Sequence, residues 1–295
     1  MVRHYARERM FTAGEVARVN LYPVRRVGTG RRAKTQASRP CQEALNRRNS
    51  KKKFGDIAHL NFNRETGGLR VSLDYDFFVE EQGRNPSREE YKMILAAYIR
   101  KLRALYASAS GELKYMVMTH IGRKKGRIHH HAIISTPPAG VSFEELRKVW
   151  VVGYSNYDHL HFRNGSIAGL TSYFFDNSVD SKWSCSKNCK RPSEEPYEDG
   201  TPASVDYIDG HVTMKDARYI DEHPDDIAYI ERLFPGYAVQ HVKPTAELAP
   251  ENNGDVYTTL PFGGPFVEIQ LYKISAADKP VRVPKRRNEP RGGTI

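Results

Sequence analysis

Apolar and polar positions fall into two clear periods along this chain. Leu69, Val71, Leu73 and Tyr75 alternate with Arg70, Ser72 and Asp74. That period of two marks a half-buried strand. In the segment 85–109, Ile94, Ala97, Tyr98, Leu102, Leu105 and Tyr106 recur on one helical face. Ser87 and Glu90 have the spacing of a capping box at its start. The stretch "LKYMVMTHI" (113–121) predicts a strand. It turns through "GRKKGR" into a second strand, "IHHHAIIS" (128–135). Ser142 and Glu145 cap a short helix, "FEELRKVW". "GYSNYDHLHF" predicts a further strand and "GSIAGLTSYFFDNS" a short helix. Upstream, a helix is expected across 38–62. Residues 1–36 look loop-rich, with one strand-like piece, "ARVNLYPVRRV". A last strand is expected at "PFVEIQLYKI".

The central order is strand, helix, strand, strand, helix, strand, helix. It predicts an α+β fold of the ferredoxin-like, split βαβ kind, an antiparallel sheet with helices on one face. The expected division is a basic N-terminal arm with the start of a helix over 1–54 and a catalytic domain over 55–190. An acidic C-terminal region ending in a strand follows over 191–278, and a disordered basic tail over 279–295. No internal repeat stands out.

Charge changes the picture more than composition does. The chain of 295 residues carries a net +11, a balance that suggests a polyanionic partner such as nucleic acid. The charge is also segregated. Residues 23–53 hold eleven Lys/Arg against one Glu, residues 192–260 hold four against fifteen Asp/Glu, and residues 279–295 hold six against one Glu. The acidic stretch is expected to shield a basic groove until the polyanionic partner competes it away. "GTGRRAKT" (28–35) resembles a phosphate-binding loop, but Ala33 stands where that loop needs glycine. We therefore read it as a basic loop rather than a sign of an ATPase.

No apolar run reaches about 18 residues, so no membrane span is expected. The opening "MVRHYARERMFTAGEV" has no apolar stretch before a cleavage-like site, so no secretory signal is expected. Three cysteines, Cys41, Cys185 and Cys189, fit a reducing cytoplasm. No second pair completes a zinc site with Cys185 and Cys189, so both are read as free thiols.

The densest chemistry lies in "IHHHAIIS". Residues two apart on a strand share a face. His129 and His131 therefore point one way and His130 the other. The preceding strand joins by a tight turn, so His120 can lie beside the pair across the ladder. Three imidazoles on one face leave coordination positions open, as catalysis requires. The alternative is that strand histidines only pack or hydrogen-bond. Imidazole suits Mn, Zn, Ni or Fe, and Mg is tolerated when phosphate and water complete its shell. A metal beside basic residues suggests phosphate chemistry, with water or a tyrosine as attacking group. Tyr173 on its short helix is the candidate tyrosine. A phenol with a pKa of about 10 attacks weakly without a nearby cation and leaves well enough for reversal. Tyr154 and Tyr157 are fallback nucleophiles.

The His strand followed by the short helix that carries Tyr173 resembles the HUH endonucleases, and "WSCSKNCKRP" (183–192) is among the stretches that carry a closer resemblance. More closely, residues 45–192 look like replication-associated proteins related to the filamentous-phage gene II protein. The resemblance implies nicking of single-stranded origin DNA with a divalent metal, usually Mg or Mn. It also implies a 5′-phosphotyrosine link, a free 3′ hydroxyl, and a host helicase and polymerase as partners. Carried over, His129 and His131 match the motif histidines and Tyr173 the nucleophile. His120 stands where relatives commonly have Glu, which shifts metal preference toward softer ions. Asp74 stands where Thr is usual. The Lys common after the tyrosine is absent from "FFDNS", and Lys182 is the possible substitute. Lys124, Lys125, Arg127, Lys187, Lys190 and Arg191 are candidates to hold phosphates, and Tyr75 and Trp183 to stack bases.

Overall fold

A computed structural model of the chain describes residues 5–24, 40–122, 126–163, 165–176, 182–192, 205–208, 212–248 and 265–274. The elements run β1 (Tyr5–Ala13), β2 (Val16–Val24), α1 (Pro40–Asn61), β3 (Leu69–Asp74), α2 (Asp76–Gln82), α3 (Arg88–Ser108), β4 (Tyr115–Ile121), β5 (Ile128–Ile134) and α4 (Phe143–Val149). They continue with β6 (Ser155–His159), α5 (Ala168–Asp176), β7 (Trp183–Cys185), β8 (Val205–Ile208), α6 (Met214–Glu222), α7 (Ile227–Leu233), β9 (Tyr237–Lys243), α8 (Thr245–Leu248) and β10 (Val267–Lys273). This is an α+β protein with two five-stranded sheets, ordered β6-β3-β5-β4-β7 and β8-β1-β2-β10-β9. Every strand pair in them is antiparallel.

The first sheet holds the histidines. Its helices start where the capping residues put them: the Ser87 hydroxyl accepts from the Glu90 amide at 3.2 Å and the Glu90 carboxylate from the Ser87 amide at 2.7 Å. Ser142 and Glu145 do the same for α4. On one face of the sheet, Leu69, Val71, Leu73, Val117 and Ile134 meet Tyr98, Leu102 and Tyr106 of α3 and Leu146 of α4. On the other, Met116, Met118 and Ile133 meet Phe54 and Ile57 of α1 and Phe174 and Phe175 of α5. Helices on one face only was the expectation; the structure corrects it to helices on both. The cause lies in β4 and β5, where neighbouring residues such as Met116 and Val117, or Ile133 and Ile134, are all buried. Strands of that kind have no face open to water.

The second sheet joins the two ends of the described chain. β1 and β2 form a hairpin around Gly14–Glu15, with Gly14 at φ 57, a left-handed position that glycine takes at no steric cost. The sequence suggested loop with a single strand here, because Arg7, Glu8 and Arg9 break any alternation along β1. β10 pairs with β2, and β9 with β10. One face, through Ala17, Val19, Leu21, Ile269 and Leu271, packs on Ala217 and Ile220 of α6 and Ile230 of α7. The other face turns toward α1. There Phe11 and Ala13 cluster with Leu60, and Arg18 pairs with Asp56 at 2.6 Å. α1 therefore lies between the two sheets.

Several expectations fall outside the described residues: the near-miss loop at 28–35, Lys124 and Lys125, and the basic tail at 279–295. Cys185 and Cys189 are free thiols. No helix among the described residues is long and apolar enough to cross a membrane.

The Phe54 ring is fully buried, 5.4 Å from both Phe175 and Trp183 and 6.1 Å from Phe174. Phe54→Ala should cost about 3–5 kcal/mol in urea unfolding, the range for removing a buried aromatic. A loss well under that range would mean that α1 does not hold α5 through this ring.

Candidate metal centre and nucleophile

The β4–β5 register sets His120 opposite His129 and Met118 opposite His131. Directly opposed residues share a face, so the three imidazoles converge. Their ring centroids are 5.2 Å apart for His120–His129, 4.6 Å for His120–His131 and 5.1 Å for His129–His131. One nitrogen from each lies within 4.8 Å of the others. His130 points to the opposite face. There it meets the Tyr75 hydroxyl at 2.8 Å and the Thr119 hydroxyl at 3.0 Å, within the core under α3.

The cluster suits a metal ion for three reasons. His120 is fully buried, and neither of its ring nitrogens has a hydrogen-bond partner among the described residues. A buried polar group left that way is costly unless something fills the gap. Second, one nitrogen of His131 is engaged by Ser72 at 3.1 Å, so its ring is oriented and the other nitrogen is left for a ligand. Third, His120 and His131 are held below the usual histidine range. Burial, and then the His129 charge, pushes His120 down to about 4. Burial, and then the His120 and His129 charges, pushes His131 down to about 3. Neutral imidazole is the form that coordinates.

Tyr173 stands at the rim of this cluster. Its ring centroid is 5.6 Å from that of His131, and the residue is 49% exposed. Its neighbour Phe174 stacks on His131 at 5.2 Å, with the planes 21° apart. The same helix thus buries one aromatic against the histidines and presents the next to solvent.

α1 fixes that helix at both ends. His59 has its Nδ1 2.7 Å from the Gly55 carbonyl. A carbonyl only accepts, so Nδ1 carries the proton and Nε2 is left as the acceptor. Nε2 receives the Ile167 amide at 3.2 Å and lies 3.1 Å from the Ser166 hydroxyl. The Ser166 oxygen in turn accepts from the Ala168 amide at the start of α5. Burial holds His59 below its ordinary pKa, which preserves this acceptor. At the other end, Arg47 donates to the Phe175 carbonyl at 2.8 Å, a cation at a helix C-terminus. Sequence reasoning gave His59 and Arg47 no role, although both lie within the stretch 45–192 that carries the resemblance. A lone histidine on a basic helix carries no signal of its partner.

The other candidates scatter. Tyr75 is 1% exposed and sits on the α3 side, against Trp150 and His130. It has no face to offer a base, and this corrects its assignment as a stacking residue. Tyr157 is buried, with its hydroxyl donating to the Leu146 carbonyl, and so cannot reach a substrate. Tyr154 is exposed and packs edge-on to Phe77 at 4.7 Å. Trp183 donates to the Ser50 hydroxyl and packs on Phe54. Asp74 is tied up locally: its carboxylate accepts from the Tyr154 and Asp76 amides. Gly153 sits so close to Asp74 that any side chain there would collide with its backbone. Arg127 pairs with Asp76 at 2.7 Å. Lys182, Lys187 and Arg191 are exposed, and Lys190 is half-buried with its amide bonded by Asn61.

Two measurements follow for the metal-free protein. Unfolded histidines titrate near 6.5, whereas His120 is held to about 4 and His130 and His131 to about 3. The unfolded chain therefore takes up protons first, and stability falls as pH drops from about 6.5 toward 3. Melting temperature should be lower at pH 5 than at pH 7.5; equal values would contradict buried neutral imidazoles. At pH 7.5, Mn should raise the melting temperature of the wild type but not of His120→Ala or His131→Ala.

Residues 71–177 match the family model of the replication-associated proteins of the ORF2 and gene II protein type. The matched stretch runs from β3 through α5 and contains His120, His129, His131 and Tyr173. No curated protein and no solved structure matches the chain. The likeness supports a protein associated with DNA replication, and the histidine cluster is consistent with a divalent metal.

Proposed function

We propose that this chain is a metal-dependent HUH-type endonuclease that nicks single-stranded origin DNA and so initiates rolling-circle replication. The observation that carries the reading is the half-exposed Tyr173 ring, 5.6 Å from His131 at the edge of a three-histidine cluster. The strand order β6-β3-β5-β4 supports it, because a split βαβ unit lays its four strands down in that order. The match over 71–177 supports the replication role.

In this reading the Tyr173 oxygen attacks a backbone phosphorus and loses its proton. The bond from phosphorus to the 3′ oxygen breaks, leaving a free 3′ hydroxyl and a 5′ phosphate joined to Tyr173. The reverse attack by a 3′ hydroxyl rejoins strands and restores the phenol. His120, His129 and His131 would hold the divalent ion. When bound, that ion supplies positive charge to polarise a phosphoryl oxygen, and three neutral ligands leave its full double charge available. His59 and Arg47 act as positioning residues, since they fix the helix that aims the tyrosine. Phe174 keeps water from one side of His131. The freed 3′ hydroxyl would be extended by a host polymerase, with a host helicase opening the duplex. Mg or Mn is the expected ion.

The test is covalent capture. Labelled single-stranded origin DNA with Mn should give an adduct that survives a denaturing gel. Tyr173→Phe should abolish it, and chelation should reduce it by at least the roughly 10²-fold scale of a lost catalytic group. Tyr154→Phe should leave it intact. An adduct that persists in Tyr173→Phe would move the nucleophile elsewhere, and no adduct with any divalent ion would end the reading.

A further inference from the structure

A second concavity runs along the tyrosine helix and is lined by residues other than the three clustered histidines. It occupies about 460 Å³ between the α1–α5 layer and the second sheet. Arg48, Lys51 and Lys52 enter it from α1, Arg18 from β2 and Lys243 from β9. Among the described residues two carboxylates are close, and both are paired: Asp56 with Arg18 and Glu268 with Lys243. Five cations against these two carboxylates leave the described lining net positive. Phe266 forms an aromatic surface at its edge, stacked with Tyr22 at 5.7 Å and overlaid by the Arg48 guanidinium at 5.8 Å. Thr171 and Ser172 line it from α5. The next residue of that helix is Tyr173.

We propose that this groove binds the backbone phosphates of a single DNA strand and holds the strand beside Tyr173. The proposal rests on the nicking reading for its substrate, and it adds where that substrate lies. Cations that track a backbone, with an aromatic surface for a base, are the recurring features of single-strand sites. A space of roughly the size of a small-ligand pocket takes a few nucleotide units and not a duplex. Lys52 suits an anion site. Burial, and then the Arg18 charge, draws it down to about 8, so a bound phosphate would relieve the crowding of positive charge. The walls also draw on the acidic C-terminal region. Its strands β9 and β10 line the groove, supplying Lys243, Glu268 and Gln270.

Lysine acetylation read by mass spectrometry tests this on the unaltered chain, with oligo(dT) as the probe. Lys51, Lys52 and Lys243 should be protected by the oligonucleotide, and Lys101, exposed on α3, should not. Equal modification of the groove lysines with and without oligonucleotide would overturn the site. So would protection by a blunt duplex equal to that by oligo(dT). The combined variant Arg48→Gln, Lys51→Gln, Lys52→Gln should bind oligo(dT) with a salt slope lower by about 2, since each phosphate contact on a single strand contributes about 0.7. An unchanged slope in a variant with a wild-type melting curve would also overturn it. Tyr173→Phe separates the two readings, because it should keep the lysine protection while losing the adduct. Protection without any adduct in the wild type would sink the nicking reading alone. An adduct without protection would sink the groove alone.

Discussion

The register of the β4–β5 hairpin is the constraint on which the site depends. Strand side chains alternate, so a slip of one residue would turn His129 and His131 inward and His130 outward. What prevents the slip is that both faces of β5 are committed. On one, His130 is buried and bonded to Tyr75 and Thr119; on the other, Ile133 packs under α1. A shifted strand would leave His130 without its partners and push apolar residues out of both cores. The histidine turned away from the metal side is thus what keeps the other two on it.

The second dependence runs through α1. Because it lies between two sheets, it has apolar residues around more of its circumference than a surface helix would. Phe54 and Ile57 face the first sheet, while Leu60 and Asp56 meet the second. The same helix carries His59 and Arg47, which hold the ends of α5. The position of Tyr173 is therefore set by the packing of the whole molecule rather than by its own short helix, and the second sheet bears on the site through α1.

Much of the first sheet was legible because its signals are local. Alternation marks β3, capping boxes mark α3 and α4, and a tight turn between two strands brings His120 beside the His129–His131 pair. The second sheet was illegible for a physical reason. Its partners come from opposite ends of the described chain, and no local pattern announces that β2 will pair with β10. The face of the first sheet covered by α1 and α5 was missed because unbroken apolar runs in β4 and β5 do not say what covers them. Tyr75 misled because an aromatic at a strand end reads the same whether it faces solvent or core. His59 and Arg47 act through contacts more than a hundred residues apart in sequence, beyond the reach of any spacing rule.

The closure of the second sheet by β10 also has a consequence in time. In a chain made from its N-terminus, β1 and β2 precede the first sheet, yet the neighbour of β2, β10, is the last of the described strands to emerge. The hairpin must wait through the synthesis of the entire first sheet with its β10-facing edge unpaired. Long-range pairing of this kind forms slowly, and an open strand edge is where chains misassociate. The first sheet and its histidines can be assembled while the hairpin still waits. The wall that β9 and β10 contribute can be added only after the first sheet has been made.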